Sequence, residues 1–92
     1  MDRFEKERIM RNLVLMEKRL ILADDFLELS IQRKIFSQGM LVDTMKTDSP
    51  SLDYCMKLLR RGPNAFTQFI DILITTRQND NVDMLLNTSL EI

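Results

Sequence analysis

Histidine is absent from this chain of 92 residues, and cysteine occurs once, at Cys55. The first absence removes the usual general base, the usual zinc ligand and every Ser-His or Cys-His nucleophile pair. A lone cysteine cannot form an internal disulfide and fits a reducing, cytoplasmic setting. Nothing near Cys55 in type would serve as its base, so it is not expected to be a nucleophile. Glycine and proline occur twice each, at separate points, so neither a glycine-rich phosphate loop nor a flexible linker is present. The longest apolar runs, Leu13 to Met16 and Leu20 to Ala23, fall far below the ~18 residues of a membrane-crossing helix. Met1-Asp2-Arg3-Phe4-Glu5-Lys6 alternates charge and has no apolar signal core, which speaks against secretion. A net charge of -1 speaks against a broadly basic nucleic-acid binder. No catalytic residue, metal site, cofactor, small-molecule substrate or membrane contact is expected.

What is present is helical periodicity from end to end. A long first helix, about residues 2–20, carries Ile9, Leu13, Met16 and Leu20 at steps of three and four. Met10, Val14 and Leu15 widen its stripe, which predicts burial on more than one side. A second helix starts near Asp24 as cap, with Phe26, Leu27, Ser30 and Ile31 inward and Ile35-Phe36 closing the segment. Ser37 caps a short third helix containing Met40, Leu41 and Met45. Ser49 followed by Pro50 starts a fourth, with Leu52, Cys55, Met56 and Leu59 as its main stripe and Tyr54 and Leu58 beside it.

Gly62-Pro63 stops that helix, glycine by taking the left-handed conformation and proline by breaking the ladder. A fifth helix presents Phe66, Phe69, Ile70, Leu73 and Ile74. Residues 77–81 form a polar break, and a last helix over residues 82–90 offers Val82, Leu85, Leu86 and Leu90. Most methionines fall at core-like spacing. The connections are short, so the expected architecture is all-α: one domain over residues 1–92, an antiparallel six-helix bundle.

Leu58-Leu59-Arg60-Arg61-Gly62-Pro63-Asn64-Ala65-Phe66 resembles the junction of helices four and five in caspase-recruitment domains (CARDs) of the death-fold superfamily. Val82-Asp83-Met84-Leu85-Leu86-Asn87-Thr88-Ser89-Leu90 is similar to the last helix of the caspase-two type. Met10-Arg11-Asn12, Val14-Leu15-Met16, Lys18-Arg19-Leu20 and Ile35-Phe36 agree with the same family. The resemblance implies a death fold and a binding function: pairing with another CARD, in an adaptor or a caspase, so that an initiator caspase is recruited into an apoptotic or inflammatory complex. A homo-oligomer is a further expectation, as is a protease domain downstream. The CARD of an adaptor partner and a CARD-only regulator stay open as alternatives.

Such pairing sets an acidic patch against a basic one, which steers encounter and rejects wrong partners. The acidic candidates are Asp24, Asp25, Glu28 and Asp43; a solvated face assisted by the helix dipole accounts for them equally well. The basic candidates are Arg8, Arg11, Lys57, Arg60 and Arg61. The position after Asn12, basic in several caspase CARDs, is Leu13 here, and Asp48 and Asp53 stand where others are basic, so the acidic side is the better developed. Gly62, Pro63, Phe66 and Phe69 are expected to serve the fold. Helix five is too apolar to read DNA base edges.

Overall fold

A computed structural model describes residues 1–90. Its regular structure is entirely helical: α1 (Arg3–Arg11), α2 (Leu13–Arg19), α3 (Asp24–Gln32), α4 (Gln38–Met45), α5 (Pro50–Leu58), α6 (Ala65–Thr75) and α7 (Asn79–Leu86). The expected six helices are thus seven among the described residues, because the first one breaks at Asn12. That side chain donates to the Arg8 carbonyl at 2.6 Å and to Thr88 Oγ1 at 2.7 Å. Its own N–H reaches Ile9 rather than Arg8, at 3.1 Å. A short polar side chain that competes for the backbone in this way bends or ends a helix.

The break also overturns the expected two-sided burial of the first segment. Ile9, Met16 and Leu20 are buried, but Val14 is 68% exposed, Met10 51%, and Leu15 also faces solvent. Asp2, not an internal residue, starts α1: it accepts from the Glu5 amide at 2.8 Å while Glu5 reaches back to the Asp2 amide at 2.9 Å, a full capping box.

Aromatic rings hold the centre together. Phe26 of α3, Phe36 on the following turn, Tyr54 of α5 and Phe69 of α6 form one cluster, with ring centroids 4.4 to 6.2 Å apart. Tilted and edge-on pairs at such spacing add to the gain from area burial. The Tyr54 hydroxyl would be costly to bury alone, but it shares a 2.8 Å hydrogen bond with Ser30 Oγ, which also lies within 2.9 Å of the Phe26 carbonyl. Burial pushes the Tyr54 pKa well above its ordinary value despite that bond. Around the cluster α2 lies on α5, α3 on α6, α4 on α5, and α7 bridges α6 and α1.

Several inward assignments shift by one helical position. Tyr54, Cys55 and Leu58 form the buried stripe of α5, whereas Met56 is exposed. Ile72 is buried on α6 while Ile74 faces solvent, and Ile31 is exposed on α3. Of the methionines, Met16 is buried, Met40 and Met84 are half-buried, and Met10, Met45 and Met56 are exposed. The last helix runs over Asn79–Leu86, earlier than expected, because residues 79–81 join it. Asp24 is the first residue of α3, with Ala23 at its cap and no side-chain cap bond.

Gly62 does not take the left-handed conformation, and a Cβ there would meet nothing within 4 Å. The corner turns through hydrogen bonds instead: Arg61 N–H to Leu58 and Ala65 N–H to Gly62, at 3.0 and 3.1 Å. The left-handed turns are elsewhere, at Lys34 (φ 60) and Arg77 (φ 63). Each closes a Schellman motif: Ile35 N–H bonds Ser30, and Gln78 N–H bonds Leu73. A side chain at such a position costs about 1 kcal/mol relative to glycine.

Candidate functional site

The acidic candidates are divided between α3 and α4. Asp24, Asp25 and Glu28 are exposed on α3 and Asp43 on α4. None of the four joins an ion pair among the described residues. Asp25 accepts the Phe26 amide at 2.8 Å and Glu28 accepts Gln32 Nε2 at 3.2 Å, both local contacts. Between the helices lies an apolar groove of about 330 Å³ lined by Leu27, Ile31, Gln38, Leu41, Val42 and Met45. Asp24 stands three residues before Leu27 and Glu28 three before Ile31, so they border the groove on the α3 side. Asp43 is roughly 100° around α4 from its neighbour Val42 and faces away from the groove.

The groove follows from sequence spacing that reads equally as core. Ile31, Val42 and Met45 look like inward positions of short helices. A helix of eight or nine residues has little room, however, and one stripe already meets the aromatic cluster. The other apolar residues are left facing solvent.

The basic candidates do not form one patch. Arg8 points its guanidinium at the C-terminus of α7, donating to the carbonyls of Leu85 at 2.9 Å, Leu86 at 2.8 Å and Thr88 at 3.4 Å. Arg11 donates to Ser89 at 2.9 Å and pairs with Glu7 at 3.2 Å. Lys57 reaches Asp53 at 2.8 Å, Thr44 Oγ1 at 2.9 Å and the Met40 carbonyl at 3.3 Å. Its hydrogen bond holds the Asp53 carboxyl below the ordinary value, against the opposing effect of burial. Arg61 donates to the Ile35 carbonyl at 2.6 Å, tying the α5–α6 corner to the end of α3. Arg60 is exposed, and its side chain makes no hydrogen bond or ion pair among the described residues.

Of the residues assigned to the fold, Phe66 and Phe69 are buried while Gly62 and Pro63 are exposed. Cys55 is fully buried, and its thiol is pushed up to about 12, so almost no thiolate exists near neutrality. Among the described residues no group of three His, Cys, Asp or Glu could hold a metal ion. No described helix is long and apolar enough to cross a membrane.

Sequence patterning missed a second set of residues, the buried amides. Gln78 pairs with Ile21 as a backbone strand would, Ile21 N–H to Oε1 at 3.0 Å and Nε2 to the Ile21 carbonyl at 2.9 Å. Asn81 adds bonds to Gln78 at 3.0 Å and to the Arg19 carbonyl at 3.2 Å. The polar break is thus a clasp between the α2–α3 and α6–α7 connections.

Over 92 aligned residues the chain is 30% identical to Caspase-2 of Gallus gallus, an alignment taking in 96% of this chain. The chain is similar to part of Caspase-2. It spans 21% of the length of that curated relative. No family model matches the chain. No solved structure matches it. The likeness to Caspase-2 takes in the α3–α4 face, the Arg60–Phe66 corner and the arginines of α1, since it runs almost end to end.

Proposed function

We propose that this chain is a CARD of the death fold, and that it recruits an initiator caspase by docking another CARD on the α3–α4 face. The observation that carries this reading is a groove of apolar side chains bordered by carboxylates that join no ion pair among the described residues. Similarity to Caspase-2 over 96% of the chain supports the family. The fitting partner surface is basic with a projecting apolar side chain. Its cations meet Asp24 and Glu28 while the apolar group enters between Ile31 and Val42. Charged rims of this kind govern encounter and partner choice, and an apolar centre that excludes water supplies affinity. The binding role belongs to the cytoplasm, and any protease activity to a separate domain of a longer protein.

The CARD of an adaptor is the second reading. It draws on the asymmetry of the two charged groups: Arg8, Arg11, Lys57 and Arg61 are engaged within the chain, leaving the acidic side as the available one.

Titration against the matching segment of Caspase-2 and a set of adaptor CARDs tests the proposal. Asp25→Lys with Glu28→Lys is expected to abolish binding to the preferred partner while helical circular dichroism is retained. Val42→Asp, in the groove, is expected to do the same. Parental affinity in both variants overturns the assignment of this face.

A further inference from the structure

We propose that the hollow beside the Gln78–Asn81 clasp binds a mononucleotide whose base carries an exocyclic amino group. The site lies where the α2–α3 and α6–α7 connections join, so the inference goes beyond the α3–α4 reading and does not depend on it.

The orientation of one buried amide fixes that of the next. Gln78 is 8% exposed, and its two hydrogen bonds with the Ile21 backbone allow its amide only one way round. Oε1 therefore faces Asn81, which has to answer with a donor, and Asn81 Nδ2 bonds it at 3.0 Å. The same Nδ2 reaches the Arg19 carbonyl at 3.2 Å. Turning the Asn81 amide over would set oxygen against both acceptors, so Oδ1 is held on the other side. Asn81 is 4% exposed, and this Oδ1 has no hydrogen-bond partner among the described residues. A buried acceptor without a donor costs stability, and a ligand that brings the donor recovers it.

Gln78 and Asn81 line a hollow of about 470 Å³ together with Arg19, Ile21, Arg77 and Asp80. That volume is within the roughly 300 to 1,000 Å³ of small-molecule sites. Its charged walls are uncommitted. Arg19, Arg77 and Asp80 are exposed and join no ion pair among the described residues. Arg19 Nη1 lies 3.8 Å from the Met84 sulfur, a weak contact. α7 starts here without a side-chain cap bond, so its positive end adds to the two guanidinium groups.

These groups set the chemistry of the ligand. Two arginines at a helix N-terminus suit a phosphate. Asn81 Oδ1 calls for an N–H donor, which an amino-substituted base supplies and an oxo-substituted one replaces with a second acceptor. Ile21, which is 61% exposed, offers the base an apolar surface, and a guanidinium plane offers it a stacking face. Asp80 is left to accept from the ribose hydroxyls.

The test is calorimetric titration of the whole chain with adenosine monophosphate, inosine monophosphate and adenosine. The adenine nucleotide is expected to bind about tenfold tighter than the inosine one, whose carbonyl opposes Oδ1. Adenosine, without the phosphate, is expected to bind about tenfold more weakly than its nucleotide. Arg77→Gly removes one guanidinium and relieves a left-handed side-chain position, so it keeps the fold while weakening the nucleotide about tenfold. Equal affinity for the adenine and inosine nucleotides, or for adenosine and its nucleotide, overturns the proposal. So does parental affinity in Arg77→Gly, or the absence of saturable binding. Asp25→Lys with Glu28→Lys is expected to leave the preference for adenine over inosine unchanged, so this site and the α3–α4 face stand or fail separately.

Discussion

The two charged groups of this small domain are built to opposite rules. On the basic side, four of five candidate cations are bonded within the chain: Arg8 to Leu85 at the end of α7, Arg11 to Ser89 just beyond it, Lys57 to Asp53 and Thr44, Arg61 to Ile35. On the acidic side, Asp24, Asp25, Glu28 and Asp43 make no ion pair among the described residues. Charge that closes carbonyl ends and links helices is charge spent on the fold. Charge left beside an apolar groove contributes little to stability and is available to a partner.

Substitutions sharpen this contrast, starting from the interior on which both faces stand. Phe69→Ala removes a fully buried ring from the aromatic cluster and is expected to cost roughly 3 to 5 kcal/mol in denaturant unfolding. Arg8→Ala is expected to cost about 2 kcal/mol, because charge-assisted bonds to the end of α7 are lost. A loss comparable to that of an exposed residue would place Arg8 with the free charges and break the comparison.

Lys57→Met is expected to cost about 1 kcal/mol near neutral pH, as its pair with Asp53 is two-thirds screened from solvent. The Asp53 carboxyl is held below 3.8 in the folded chain, so its contribution is complete above that pH and fades as pH falls through the folded value. Lys57→Met should therefore lose part of the parent's acid sensitivity below about pH 4, read as a flatter stability curve. Lys34→Gly acts in the opposite sense, raising stability by about 1 kcal/mol by relieving a left-handed side-chain position. The smallest stability effect belongs to Asp25→Lys with Glu28→Lys, expected within about 0.5 kcal/mol of the parent. A larger loss would show that the acidic face also serves the fold.

Helix positions were legible in the sequence wherever a chemical punctuation mark stood. Ser37 caps α4 by accepting the Met40 amide at 3.2 Å, and Pro50 opens α5. Their side chains act on the nearest amides, so local sequence suffices. The Asn12 break was not legible, because its partner Thr88 is far away in sequence and close only after folding. Gln78 and Asn81 are buried for the same reason, bonded to Ile21 and Arg19 across the bundle, while Asn81 Oδ1 has no partner among the described residues. At the candidate site, the acidic residues could be named from sequence, whereas the groove beside them could not. Which of two adjacent apolar stripes of a short helix meets the core depends on the neighbours. That choice sends Ile31 outward and Phe26 inward.

Cys55 has a practical consequence that concerns time rather than contacts. It is the chain's single thiol, fully buried, with a pKa raised to about 12. An alkylating reagent at neutral pH reacts with it only when the α5 region opens and the thiol regains its ordinary acidity. Each molecule can then be labelled once, so the uptake of a single mass increment is a clock for opening. The natural sequence thus carries its own reporter of how often the core is exposed, with no probe to engineer.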